Sequence, residues 1–310
     1  MTFSATEQFA NKSVYTWQVG KALRDSEHFS TRLSVEPYDD DLPFPEYFKQ
    51  FIQQADVAKI DSLLIGCWGE AYEENSSQAI KLLIEHQAAL PNLKNLFIGD
   101  MQLEESEVSW IQQSDISPIY QAFPELQVLK VRGSEGLSLG TIEHNKLQRL
   151  ILETGGMCKS LLESVRLANL PELTHLELWL GEDDYGCTID TQDIKVFLDS
   201  LQTQFPKLHY LGLCNYYLSD ELAQCIAENG IPSKITTLDL SKGNLSDQGA
   251  QALLECNQLS SLSTLDLHHH YLSQAMMDQV SSLAATVDVS EQNEEDKDDD
   301  EIYRYIFVSE

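Results

Sequence analysis

The apolar phrase Leu-x-x-Leu-x-Leu returns along the whole chain, as Leu93/Leu96/Ile98, Leu126/Leu129/Val131, Leu147/Leu150/Leu152, Leu173/Leu176/Leu178, Leu208/Leu211/Leu213, Ile235/Leu238/Leu240 and Leu262/Leu265/Leu267. From the middle residue of one copy to that of the next the steps are 33, 21, 26, 35, 27 and 27 residues. In a short strand successive side chains point to opposite faces. The fourth and sixth positions of the phrase therefore enter one core, while the third, fifth and seventh face away from it. One copy cannot bury its own apolar edge, so neighbouring copies must stack.

Steps of roughly 20–29 residues are those of leucine-rich repeats. The predicted fold class is therefore α/β: a leucine-rich repeat solenoid, or horseshoe, with a parallel concave sheet and outer helices. Apolar residues at three- and four-residue intervals predict helices over Ala79–Ile84, Ile194–Leu198 and Ala250–Leu254. Pro91, Pro124, Pro171 and Pro206 each stand two residues before a strand, where proline cannot extend a helical ladder. Ser219-Asp220-Glu221 and Ser246-Asp247-Gln248 read as helix N-caps with acidic first turns. Trp110–Asp115 reads as the opening of an amphipathic helix with its Trp in the core.

Weaker copies extend the array to about ten or eleven strands: Leu33/Val35 and Ile60/Leu63/Ile65 before it, Val287/Val289 and Tyr303/Ile306/Val308 after it. The expected organisation is an irregular N-terminal cap over 1–30, containing Val14–Trp17, and one elongated solenoid over 31–290. An acidic flexible linker over 291–301 and a capping strand over 302–310 follow.

Fifty acidic against 20 basic residues give a net charge of −30. Phosphate contacts need clustered Lys and Arg, so nucleic acid is excluded as an expected partner. Cys67, Cys158, Cys187, Cys214, Cys225 and Cys256 show no Cys-x-x-Cys pairing and read as reduced thiols of a cytoplasmic protein. No basic stretch followed by an apolar run opens the chain, and no segment is apolar enough to span a membrane. Asp296–Glu301 starts like a calcium loop but has Glu301 where glycine is needed and Phe307 where the bidentate glutamate belongs. The sequence carries no phosphate-loop, nucleophile-elbow or zinc-protease motif, so no catalytic residue, metal or cofactor is assigned and the protein is read as no enzyme. Gly155-Gly156 reads as a tight strand exit.

The fifth positions run Ser34, Leu64, Phe97, Lys130, Ile151, Glu177, Gly212, Asp239, Asp266 and Asp288, so acids gather toward the C-terminal half. Seventh positions add Glu153, Trp179 and His268, and third positions add His175 and Tyr210. Carboxylates on adjacent strands repel, and a Trp on an open face is costly to hydrate, which favours a partner surface. The expected contact patch is Glu153, His175, Glu177, Trp179, Tyr210, Asp239, Asp266 and His268, taking a protein or peptide with a basic segment. The alternative is an enzyme or metal-dependent site centred on His268 with Asp239, Asp266 or Glu177. Three adjacent histidines, His268-His269-His270, cannot all reach one metal, because strand side chains alternate. His268 is expected on the concave face and His270 in the turn.

Ile65–Tyr72, Ser109–Asp115, Glu153–Gly156, Leu176–Gly181 and Leu265–Leu272 together resemble an uncharacterised bacterial leucine-rich repeat family, from about Ile60 to Glu310. The resemblance implies ribonuclease-inhibitor-like architecture. It also implies an accessory or recognition role beside radical-SAM and ATP-grasp proteins, and it brings no enzyme activity. The ninth repeat position, usually asparagine, holds Trp68, Met101, Ser134, Gly155, Gly181, Tyr216, Gly243 and His270, so the turns must satisfy their backbone differently.

Overall fold

A computed structural model describes residues 6–37, 42–298 and 301–309. The chain divides into two compact units. One comprises Thr2–Glu153 and Leu167–Glu172, the other Thr154–Arg166 and Leu173–Ser309. Within each, parallel strands follow one another in chain order and most crossovers pass through a helix, as parallel pairing requires.

In the N-terminal unit β1 (Gln8–Phe9) and β2 (Lys12–Thr16) form an antiparallel hairpin, and β2 pairs in parallel with β3 (Ser30–Leu33). Then come α1 (Phe44–Ile52), β4 (Ser62–Ile65), α2 (Ser77–Glu85), β5 (Asn95–Ile98), α3 (Pro118–Ala122), β6 (Val128–Arg132) and β7 (Arg149–Glu153). The segment expected as an irregular cap thus supplies two paired strands. Trp17 is buried beside Tyr47 and Phe51, with ring centroids 5.0 and 5.5 Å away. Leu33 pairs with Ile65, not Leu63, so the first repeat is displaced by two residues from the expected register. Its fifth position is Arg32, not Ser34. The next repeats pair as the leucines demand: Leu63 with Leu96, Leu96 with Leu129 and Leu129 with Leu150.

The C-terminal unit contains α4 (Lys159–Arg166), β8 (His175–Gly181), α5 (Thr191–Ser200), β9 (Tyr210–Tyr216), α6 (Ser219–Asn229), β10 (Thr237–Asp239), α7 (Asp247–Glu255), β11 (Thr264–Asp266), α8 (Gln274–Val280) and β12 (Thr286–Asp288). Leu176, Leu211, Leu238, Leu265 and Val287 stand in register, and the four leucines are fully buried. The predicted helices are present as α2, α5 and α7, and Ser246 caps α7 by accepting the Gln248 N–H. Ser219 does not cap α6. Leu218 occupies that place, and the Ser219 hydroxyl donates to the Tyr216 carbonyl at 2.6 Å. Trp110 ends a short 3₁₀ turn and is 56% exposed, against the expectation of a buried helix opening.

The acidic segment is not an unstructured linker. Its β13 (Asp296–Asp298) pairs antiparallel with β14 (Glu301–Tyr303), leaving only 299–300 of that stretch outside the described residues. Nor do 302–309 add a strand beside Val287/Val289; beyond Tyr303 the chain turns back across earlier repeats, as described below.

Gly155, Gly156 and Gly181 meet where two backbones touch. Gly156 bridges Gly181, and a Cβ on Gly181 would overlap the Gly155 carbonyl. The tight exit read from Gly155-Gly156 is therefore a requirement of packing.

Candidate interaction surface

The third, fifth and seventh repeat positions are filled differently in the two units. In the N-terminal unit Leu64, Phe97 and Val128 are buried together with Phe9 of β1, with Ala10 and Val14 packed alongside. Phe9 and Phe97 lie 5.9 Å apart. Glu153 is only 5% exposed and is ion-paired to Lys130 at 2.8 Å and Arg132 at 2.9 Å. Burial disfavours its charge, but the Lys130 and Arg132 charges and hydrogen bonds outweigh it and hold the carboxyl below the usual range. Lys130 also sits 4.5 Å from the Phe97 ring centroid. Glu153 is thus fully engaged inside its own unit.

In the C-terminal unit the structure brings His175, Glu177, Trp179, Tyr210, Asp239, Asp266 and His268 onto neighbouring strands. The imidazole of His175 stacks on the Tyr210 ring at 3.8 Å with Nε2 3.3 Å from the Glu177 carboxylate. The other Glu177 oxygen accepts the Trp179 indole N–H at 2.9 Å. Tyr210 donates to Asp239 at 2.6 Å. Burial raises the Tyr210 hydroxyl's pKa, and the adjacent Asp239 and Glu177 charges raise it further. Burial opposes ionisation of Asp239, yet hydrogen bonds from Ser241 and Tyr210 and the Lys242 charge together lower its pKa.

Trp179 is 3% exposed, which corrects the expectation of an open indole. Phe307 meets it edge-on at 6.2 Å, and the Lys242 ammonium lies 5.5 Å from its ring. The covering side chain lies more than a hundred residues away in sequence, so no local pattern could have announced it.

The acidic ladder also has a local cause. Asp239, Asp266 and Asp288 each accept the backbone N–H two residues ahead, from Ser241, His268 and Ser290, at 3.0, 3.0 and 2.9 Å. Each carboxylate ends its strand by capping the following turn. The turns have a further common device at the eighth position: Asn215, Lys242, His269 and Glu291 all adopt left-handed backbone, with φ between 53° and 67°. Their amides form a ladder, Asn215 to the Ser241 carbonyl, Lys242 to that of His268 and His269 to that of Ser290, at 2.9, 2.9 and 3.1 Å. His270, at the ninth position, is buried. Its Nδ1 accepts the Leu272 N–H and its Nε2 donates to the Val289 carbonyl, so it performs the turn-bonding expected of asparagine.

His268 faces this surface. Its Nδ1 is 2.7 Å from Asp266 and its Nε2 3.1 Å from the Lys242 ammonium. The Asp266 hydrogen bond raises the His268 pKa against the effects of burial and Lys242. Among the described residues, Asp266, His268 and Asp288 form a group whose donor atoms lie within 4.8 Å of one another and could hold a metal. Asp239 and Glu177 do not join them. The Lys242 ammonium already supplies a cation at His268 Nε2, which opposes a second positive charge there.

No protein family and no curated protein matches this chain. Among solved structures, a protein from Bacteroides fragilis superposes with TM-score 0.76 at 28% identity, over 85% of this chain and 72% of that one. The leucine-rich repeat-containing protein LegL7 from Legionella pneumophila gives 0.43 at 16%, over 87% and 78%. An internalin from Listeria monocytogenes gives 0.36 at 13%, over 91% and 87%. The repeat register, the parallel strands and their helical crossovers define an α/β leucine-rich repeat solenoid. No helix among the described residues is long and apolar enough to cross a membrane, and all six cysteines are free.

Proposed function

We propose that the protein is a non-catalytic binding module that takes a protein or peptide bearing a basic segment on the C-terminal unit's odd-numbered repeat positions. The observation that carries this reading is the accessible set His175, Glu177, Tyr210, Asp266 and His268, held in register on successive parallel strands and only partly covered. Glu177, Asp266 and exposed Asp288 would orient cationic side chains, while the His175–Tyr210 stack offers a flat apolar platform. Trp179 and Asp239 support the surface from beneath. An accessory role in a bacterial modification system is the biological setting that the family resemblance favours, with the cytoplasm as its place.

The test is titration of lysine-bearing peptides against wild type, Glu177→Gln and Asp266→Asn at two salt concentrations. Affinity should fall with salt and fall again in each variant, by about fivefold or more for a charge-assisted contact. Equal binding by all three proteins at both salts would remove the acidic surface from recognition. Metal analysis of the purified protein addresses the rival reading: stoichiometric metal, lost in Asp266→Asn, would favour a metal-dependent site at His268.

A further inference from the structure

Residues 304–309 run across the turns that follow β11 and β10 and then the end of β9, against chain order, and are held there mainly through their backbone. The Tyr305 N–H donates to the Tyr271 hydroxyl at 2.8 Å, and that hydroxyl donates to the Tyr305 carbonyl at 3.0 Å. Phe307 donates its N–H to the Lys242 carbonyl at 2.8 Å. Asn215 then clamps Val308 from both sides, its amide donating to the Val308 carbonyl at 2.6 Å and its oxygen accepting the Val308 N–H at 3.0 Å. Ile306 and Val308 are buried, and the Phe307 ring stands edge-on between Trp179 and His269, at 6.2 and 5.6 Å.

A backbone clamp combined with one aromatic wedge is how an extended peptide is recognised, with main-chain bonds giving affinity and side-chain slots giving selectivity. With the segment in place Asn215 is 1% exposed and spends both ends of its amide on the Val308 backbone, so its donor and acceptor are set to pair with one residue of an extended chain. Any extended chain that repeats the same backbone bonds fits the slot.

We infer that this slot is a peptide-recognition site, filled in cis by Tyr305–Ser309, and that it takes in trans an extended protein segment with an aromatic residue between two aliphatic ones. This rests on the reading of the protein as a binding module and names a second determinant of its partner beside the basic segment. The cis segment competes with any such partner and so sets the threshold for binding.

The experiment titrates the synthetic peptide Tyr-Ile-Phe-Val-Ser into full-length wild type and full-length Phe307→Ala. The peptide should bind Phe307→Ala at least about tenfold more tightly, because the weakened cis segment occupies the slot less. Asn215→Gly, added to Phe307→Ala, keeps the left-handed turn and should abolish that gain, and the peptide Tyr-Ile-Ala-Val-Ser should not bind. Val308→Pro, which removes the N–H donated to Asn215, serves as a second opening variant should Phe307→Ala not fold. Equal binding by wild type and the opened variants, no binding by either, or indifference to the Phe in the peptide would overturn the inference. If the lysine-bearing peptides still bind while this peptide does not, the inference alone fails and the acidic surface stands.

Discussion

In the N-terminal unit the odd-numbered repeat positions include Leu64, Phe97 and Val128, closed by Phe9, and Glu153 is ion-paired to both Lys130 and Arg132. In the C-terminal unit the same positions include His175, Glu177, Tyr210, Asp239 and Asp266, which the C-terminal segment does not seal; that segment covers Trp179 with Phe307 and is held through hydrogen bonds to Asn215, Lys242 and Tyr271. Apolar closure is governed by area and is indifferent to direction, whereas a hydrogen-bonded closure can be copied by any chain with the same backbone. One repeat architecture thus yields a sealed surface in one unit and an exchangeable one in the other.

The most severe test of that contrast is Trp179→Ala. Were the indole exposed, its removal would leave stability untouched. Buried under Phe307, it should cost about 3–5 kcal/mol in a denaturant titration. A loss below about 1 kcal/mol would mean that the closing segment does not bury it.

Next in size is a pair of matched substitutions. Glu153→Gln leaves Lys130 and Arg132 without their shared counter-ion and should destabilise by roughly 3 kcal/mol, whereas Glu177→Gln, at a partly exposed carboxylate, should cost less than about 1 kcal/mol. The Glu153 pKa is depressed in the folded protein. Its contribution is therefore complete above the unfolded value of about 4.3 and is lost as pH falls through the lower folded value. Wild type should lose stability on acidification through that window more steeply than Glu153→Gln, by thermal unfolding at stepped pH. Parallel pH profiles would show that the ion cluster does not stabilise the N-terminal unit.

The smallest expected effects have opposite signs. Asn215→Gly removes both bonds to Val308 and should cost about 1–2 kcal/mol, while Glu291→Gly relieves left-handed strain at an exposed turn and should gain about 0.5–1 kcal/mol. If Asn215→Gly stabilises as Glu291→Gly does, the clamp adds nothing beyond the turn conformation.

The repeats were legible because alternation in a strand is a local property, and Leu150, Leu176, Leu211, Leu238 and Leu265 are all fully buried as that alternation requires. The burial of Trp179 was not, because the residue that covers it is remote in sequence. The displaced register of Leu33 escaped for a related reason. Thr31, fully buried, stands opposite Leu63 at the position where leucine was sought, so a small polar residue replaces the apolar signal. Of the surface residues, Asp239, Asp266 and Asp288 were found for their charge, but their turn-capping bonds show that a carboxylate two residues before an amide is first a structural device. Asn215, the residue that holds the C-terminal segment, lies at an eighth position that leucine periodicity does not mark.

Asn215, Lys242, His269 and Glu291 recur at intervals of 27, 27 and 22 residues. They have no side-chain chemistry in common, only a sign of φ. Over these four repeats the period is therefore written twice, once in an alphabet of apolar residues and once in handedness, and the second script tolerates nearly any letter. For transplanting or lengthening such repeats, the cut is best placed at this turn. There an Asn or Gly on either side of the junction would preserve the phase of the array, however much the spliced sequences differ.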